Sequence, residues 1–147
     1  MDIFNFSGIH PVFIGIFFVL AFLVFWAGIV VLTSRLSRWN KLAEVYPDVT
    51  TGGDGEKKMF GGARMNNIAN YNGTITFEAT SAGLRMKQII IFRFGHENLL
   101  IPWSDIEEKE YLMSTIGFRF TRVPKLKILV SKKMGNWILE KKKQCLR

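Results

Sequence analysis

Residues 11–32 read PVFIGIFFVLAFLVFWAGIVVL, 22 positions without a charge and without Asn, Gln, Ser or Thr. At about 1.5 Å of rise per residue this run makes a helix of roughly 33 Å, enough to cross a hydrocarbon core of about 30 Å. A globular helix of that length keeps a polar face; this one has none, so the sequence predicts a transmembrane helix over 11–32. A signal peptide fits poorly, because it combines a basic leader, a shorter apolar core and a small-x-small cleavage site. Here the flank MDIFNFSGIH carries Asp2 and no Lys or Arg, and Ala27-Gly28 runs on into further apolar residues. The segment reads as an uncleaved, single-pass anchor behind a short non-cytoplasmic tail at 1–10.

The flanks set the orientation. Arg35, Arg38 and Lys41 follow the run and no base precedes it, which by the positive-inside rule places the C-terminal side in the cytoplasm and the N-terminus outside. The expected location is a plasma (inner) membrane. Trp39 marks the cytoplasmic interface, whereas Trp26 lies too deep for an aromatic belt. Gly15, Ala21, Ala27 and Gly28 do not form the GxxxG spacing of a dimerising helix.

Beyond the span, residues 33–47 keep a helical period. Leu36, Trp39, Leu42 or Ala43, and Tyr46 recur at three- and four-residue steps until Pro47 stops the pattern. The expectation is a juxtamembrane helix that continues out of the bilayer or bends onto its surface. Residues 48–58 then read as a solvated linker around Gly52-Gly53-Asp54-Gly55. They are not a phosphate-binding loop: Lys57 stands where that pattern needs glycine, and no Ser or Thr follows the lysine.

From residue 59 the period changes to two. Ile75, Phe77 and Ala79 alternate with Thr74, Thr76 and Glu78, predicting one buried and one wet face. Further strands are expected over 59–71, 84–87, 99–103, 106–113, 118–123 and 125–130, about seven in all. Alternation with a wet outer face points to a bent antiparallel sheet or barrel. Met134, Trp137 and Ile138 then fall at helical spacing in a terminal amphipathic helix. The predicted fold is therefore membrane-anchored and mostly β, with the β domain and its helix occupying 59–147.

The segments Gly73-x-Ile75-x-Phe77, Gly83-Leu84-x-Met86 and Ile101-Pro102-Trp103-Ser104-Asp105-Ile106 resemble membrane-associated pleckstrin-homology-like (PH-like, GRAM-type) domains. Phe92-Arg93-Phe94-Gly95-His96, together with Trp39-x-x-Leu42-Ala43-x-x-Tyr46, is similar to a group of small, uncharacterised bacterial single-pass membrane proteins with such a domain. The resemblance spans roughly residues 38–140. It implies a fold and a location, with no established activity to transfer. It makes Trp137 and Ile138 the plug of one open sheet end and places Trp103 at a strand corner, both as packing residues.

Charge is unevenly distributed. Residues 1–32 carry one acid and no base, 33–116 carry ten of each, and 117–147 carry ten bases against Glu140 alone. The excess lies in the last two predicted strands and the final helix. Arg119, Arg122, Lys125, Lys127, Lys132, Lys133, Lys141, Lys142 and Lys143 are therefore the candidate contacts for an anionic surface. Bases held near an anionic leaflet contribute on the order of 1 kcal/mol each; the alternative is a solvated face that only enforces topology. Nucleic acid is an unlikely partner, because no aromatic-interleaved basic face or binding module is present.

Catalytic candidates are sparse. His10 and His96 fall on opposite sides of the predicted membrane, and Cys145 sits near the terminus without a fixed base. Asp105, Glu107, Glu108 and Glu110 read as a solvated edge rather than a metal site or acid pair. No cofactor or metal is implied. The sequons at Asn5 and Asn72 fall beside the span and in a predicted cytoplasmic strand, and neither is read as a glycosylation site. The expected role is a membrane-tethered binding module for anionic lipid headgroups, a membrane-protein partner, or both. The alternatives are a structural or regulatory subunit acting through its helix and exposed β edges, and, ranked lower, a hydrolase or metal enzyme.

Overall fold

A computed structural model describes residues 10–53 and 55–147. The tail at 1–9, with the Asn5 sequon, lies outside the described residues. Helix α1 spans Pro11–Leu36, 26 residues and about 39 Å at the usual rise. Pro11 opens it at a position where no amide hydrogen is needed, and the His10 ring accepts from the Val12 amide at 3.4 Å. Four residues of the predicted juxtamembrane segment thus continue the same helix.

The continuation then breaks. Arg38 adopts the left-handed conformation (φ 61°), costly for a residue with a side chain, and a second helix, α2, starts at Trp39 and runs to Val45. Its apolar stripe faces neither the bilayer surface nor solvent. Trp39, Leu42, Ala43 and Tyr46 are buried in one core with the sheet, whereas Leu36 stays exposed. The expected surface helix is instead a core element, because a stripe containing Trp and Tyr finds more apolar contact inside a curled sheet than on its rim.

Seven strands follow: β1 (Glu56–Met65), β2 (Ala69–Ala79), β3 (Gly83–Gln88), β4 (Leu99–Pro102), β5 (Ile106–Tyr111), β6 (Thr115–Phe120) and β7 (Val123–Ser131). They form one antiparallel sheet in the order β4-β3-β2-β1-β7-β6-β5. The strand expected over 59–71 is divided by a turn at Asn66 and Asn67, both at positive φ (51° and 57°), where Asn is tolerated better than most residues.

The order of strands dictates the shape. β4 and β5 are the two edges, yet only Trp103–Asp105, a 3-10 turn, joins them. Six flat inter-strand spacings would separate the edges by about 29 Å, while four residue steps reach at most about 14 Å. The sheet must therefore curl until its edges approach. Register shifts in β1 between Lys58 and Ala63 allow the bend, and Gly61 permits it: a Cβ there would lie 2.6 Å from the Phe77 ring.

The curled sheet is filled by Ile75, Phe77, Met86, Ile101, Ile106, Ile116, Phe118, Leu126 and Ile128. Helix α3 (Lys132–Cys145) covers it, capped by Ser131, whose hydroxyl accepts from the Met134 amide at 3.2 Å. Trp137 and Ile138 are buried beneath α3, and Gly135 lets its backbone settle on Ile116. Trp103 is buried at the β4–β5 corner and donates its indole hydrogen to Thr80 O at 2.8 Å.

Two polar features depart from the alternating pattern. Glu78, assigned to the wet face, is buried against Arg85, with Arg85 Nη1 3.2 Å from Glu78 Oε2 and Arg85 Nε 2.7 Å from Asp48 Oδ2. Thr50 also accepts from Arg85. The segment expected as solvated linker is exposed over 49–53 but is pinned to the sheet through Asp48 and Thr50, and a Cβ at Gly53 would strike Glu78 and Arg85. From Glu56 the remainder of the expected linker is already strand β1.

Candidate functional site

The nine candidate bases do not converge on one surface. Arg122 pairs with Asp105 at 3.1 Å, Lys127 with Glu110 at 3.0 Å and Lys141 with Glu56 at 2.5 Å. Lys142 donates to Ile106 O at 2.5 Å. The acids come from β1, β5 and the β4–β5 corner, which precede the basic segment in sequence, so strand pairing brings neutral-segment carboxylates onto the basic one. Arg119 is flanked in register by Glu107 on β5 and by Lys127 on β7. No ion pair among the described residues engages Arg119, Lys125, Lys132, Lys133 or Lys143.

The bases also divide by position. Lys142 lies against the start of β5, and Cys145 approaches Thr80 O at 3.8 Å, so Lys141–Lys143 belong near the Gly83 end of β3. The loop leaving the other end of β3, at Gln88, is the one that meets α1. The length of β3 separates these ends by about 17 Å.

The junction with α1 is the most elaborated polar site in the fold. Three chain segments surround α2 and the turn before it: the start of β2, the β3–β4 loop and the β6–β7 turn. Ser34 Oγ donates to Gly95 O and lies 2.6 Å from the Asn40 side chain. Trp39 donates its indole hydrogen to Glu97 O at 2.8 Å. Tyr46 Oη accepts from the Arg122 amide at 3.1 Å, with the Arg122 guanidinium 5.5 Å from its ring centre. Leu100 N donates to Tyr46 O at 3.1 Å, and Pro47 bridges to Leu99, covering the β4 edge.

At the centre sit Tyr71 and His96, both buried. His96 Nδ1 is 3.1 Å from Phe94 O and Nε2 is 2.9 Å from Tyr71 Oη. A carbonyl only accepts, so Nδ1 carries the proton and the neutral ring offers Nε2 as acceptor to Tyr71. Ser37 Oγ lies 2.7 Å from Tyr71 Oη, donates its own hydrogen to Ser34 O at 3.1 Å and accepts from the Trp39 amide at 3.3 Å. Burial pushes the Tyr71 phenol up to about 12 and holds the His96 ring below its ordinary 6.5. Trp39 packs edge-on against both rings, at 5.7 Å and 5.2 Å between centroids.

Toward the bilayer-length part of α1, Trp26 stacks near Phe92 (5.2 Å between centroids) and its indole hydrogen points to Ile91 O at 3.5 Å. Helix and sheet do not close completely here. A cavity of about 190 Å³ remains, walled by Trp26, Val30 and Phe92 on one side and by Asn70, Asn72 and Thr74 on the other. Trp26, placed by the sequence too far along the apolar run for an aromatic belt, has a structural partner in the β3–β4 loop.

Sequence reasoning missed this junction. Its polar members, Ser34 and Ser37 at the end of α1, Tyr71 on β2 and His96 in the β3–β4 loop, lie on three separate segments, and the one stretch singled out among them, Phe92–His96, carried a family resemblance and no site. The one available signal was Ile89-Ile90-Ile91-Phe92, an apolar run without strand alternation. No group of three metal-ligating side chains occurs among the described residues. Comparison with protein-family models, with curated proteins and with solved structures gives no match for this chain, so its geometry alone supports a functional reading.

Proposed function

We propose that the protein is a single-pass, membrane-tethered binding module whose cytoplasmic, PH-like β domain is held against the bilayer to contact anionic lipid headgroups or a membrane-protein partner. The observation that carries this reading is the junction. The domain does not trail on a flexible linker but is hydrogen-bonded to the final turns of α1 through Ser34 and packed around α2. A helix of this length and apolarity would therefore fix both the distance and the tilt of the domain relative to the membrane. Seven strands in a curled antiparallel sheet, closed by one C-terminal helix, support the PH-like assignment.

The headgroup contact falls to bases without internal carboxylate partners, chiefly Arg119, Lys125, Lys132 and Lys133. Pairing through exposed sheet edges has less support. Tyr46–Asp48 cover β4, and β5 carries Glu107, Glu108, Lys109 and Glu110, the charged kind of edge that resists strand addition.

Amine footprinting of the full chain tests the headgroup contact. The chain is reconstituted in phosphatidylcholine bilayers with and without phosphatidylglycerol, then labelled with a water-soluble acylating reagent. The expected result is protection of Lys125, Lys132 and Lys133 in anionic bilayers only, lost at high salt. Equal labelling in both bilayers would remove the lipid contact and leave a protein partner as the target.

A further inference from the structure

Between β3 and β4 the chain exposes more apolar surface than a soluble loop does. Ile90 is 79% exposed and Ile91 57%, on a 3-10 turn (Ile90–Phe92) that buries none of its own side chains, and Phe94, just beyond it, is 59% exposed. A run of apolar residues left bare in this way marks an interaction surface or an error, and natural sequences rarely keep the error.

The position of the loop identifies its occupant. It runs alongside α1: Ile91 O and Phe92 meet Trp26, and Gly95 meets Val31 and Ser34. Trp26 lies six residues before the end of the uncharged run and nine before Arg35, or about 9 Å and 14 Å along the axis. If the bilayer ended above the loop, the helix inside it would shrink to Pro11–Phe25, about 22 Å, well short of a hydrocarbon core of about 30 Å. Leu32, Ile29 and Gly28 would then face water, although they are uncharged and exposed. If the whole run from Pro11 to Leu32 is immersed, Ile91 and Phe92 are immersed with it, because they are fastened to Trp26. The loop charges match this depth: Arg93 is exposed between Phe92 and Phe94, and Arg35 is exposed on the last turn of α1, where long basic side chains reach headgroup phosphates while their stems stay in apolar surroundings.

We infer that the Ile89–Phe94 loop is a second membrane-inserted element, placing Ile90, Ile91 and Phe94 in the acyl–headgroup boundary of the leaflet at which α1 ends, with Arg93 at the phosphates. The inference rests on α1 spanning the bilayer. It goes beyond the basic-surface reading, since the contact is apolar and independent of lipid charge.

Site-directed spin labelling of the full chain separates the two. In a Cys145→Ser background, nitroxides are attached at Ile90→Cys in the loop, Val24→Cys on α1 and Lys133→Cys on α3, all exposed positions, in phosphatidylcholine vesicles. Collision with oxygen, which partitions into lipid, is compared with collision with a water-soluble nickel chelate. The expected result is a lipid-like ratio at positions 24 and 90 and an aqueous ratio at 133. A lipid-like ratio at 24 with an aqueous one at 90 overturns the loop insertion while α1 still spans. Aqueous ratios at both overturn the spanning helix and the inference together. Ile91→Cys repeats the loop measurement should position 90 disturb the fold.

Discussion

Tyr71 shows how much of the junction depends on one oxygen. Its phenol lies within hydrogen-bond distance of Ser37 and donates to His96, linking the turn after α1 to β2 and to the β3–β4 loop. Removing the hydroxyl in Tyr71→Phe leaves His96 Nε2 buried without a partner, a cost of about 1–3 kcal/mol. Thermal unfolding of the full chain in detergent should register this loss, and Ser37→Ala should cost at least as much, because its hydroxyl serves Ser34 O and the Trp39 amide as well as Tyr71. His96 adds a pH dependence with a definite sign. Burial keeps its ring neutral in the folded protein below the pH at which the unfolded chain becomes protonated, near the ordinary 6.5. The unfolded state then binds more protons, so this contribution to stability is complete above about pH 6.5 and declines as pH falls through and below it. Melting temperatures measured from about pH 8 down to pH 5 should drop for the native chain and stay nearly level for His96→Gln. Asp48 titrates outside that window: burial alone would raise its carboxyl, but hydrogen bonds from Thr50 and the charge of Arg85 hold it below its ordinary 3.8.

At the scale of elements, Arg85 decides how the segment before β1 is held. Its guanidinium is buried between Asp48 and Glu78, and replacing it with methionine would leave two carboxylates buried without a counter-ion, a loss of about 3–5 kcal/mol. Denaturant titration of Arg85→Met should show it, whereas Asp48→Asn, which removes one charge of the three, should cost clearly less. This triad also marks where sequence reading reached its limit. Alternation over β2 places Ile75, Phe77 and Ala79 inside correctly, because strand period is a local property. The same alternation sends Glu78 to water, since nothing local announces an arginine one strand away. The C-terminal helix and seven strands were legible for the same reason as the core face: each is a periodic signal within a few residues. Helix α2 was legible as an amphipathic helix but not as a core element, because a stripe specifies that a face is buried and not what buries it. The basic excess of residues 117–147 was legible as arithmetic, but its partial neutralisation by Glu56, Asp105 and Glu110 depends on strand order. The β3–β4 loop was read only for the resemblance at Phe92–His96 and not for its apolar residues, because what makes them significant is the adjacent Trp26, 65 residues away.

For the whole molecule, the boundary between the apolar helix α1 and the β domain is displaced toward the N-terminus. A division at residue 48, natural from the glycine-rich stretch, would cut Trp39, Leu42, Ala43 and Tyr46 out of the core. Loss of one buried tryptophan costs about 3–5 kcal/mol, against a total stability of about 5–15 kcal/mol for a typical domain. A fragment of residues 48–147 should therefore give a collapsed, poorly dispersed amide NMR spectrum, and a fragment of residues 37–147 a dispersed one. The burial of α2 also sets a timetable for biosynthesis. Tyr46 receives a hydrogen bond from the Arg122 amide, 76 residues later, and at roughly 5–20 residues per second that closure waits about 4–15 s. Through that interval the aromatic residues of α2 are made but their last partners are not. Completion of the sheet around Tyr46 is therefore a late event, waiting for the final strands and helix to leave the ribosome although α2 is among the first parts of the core to be made.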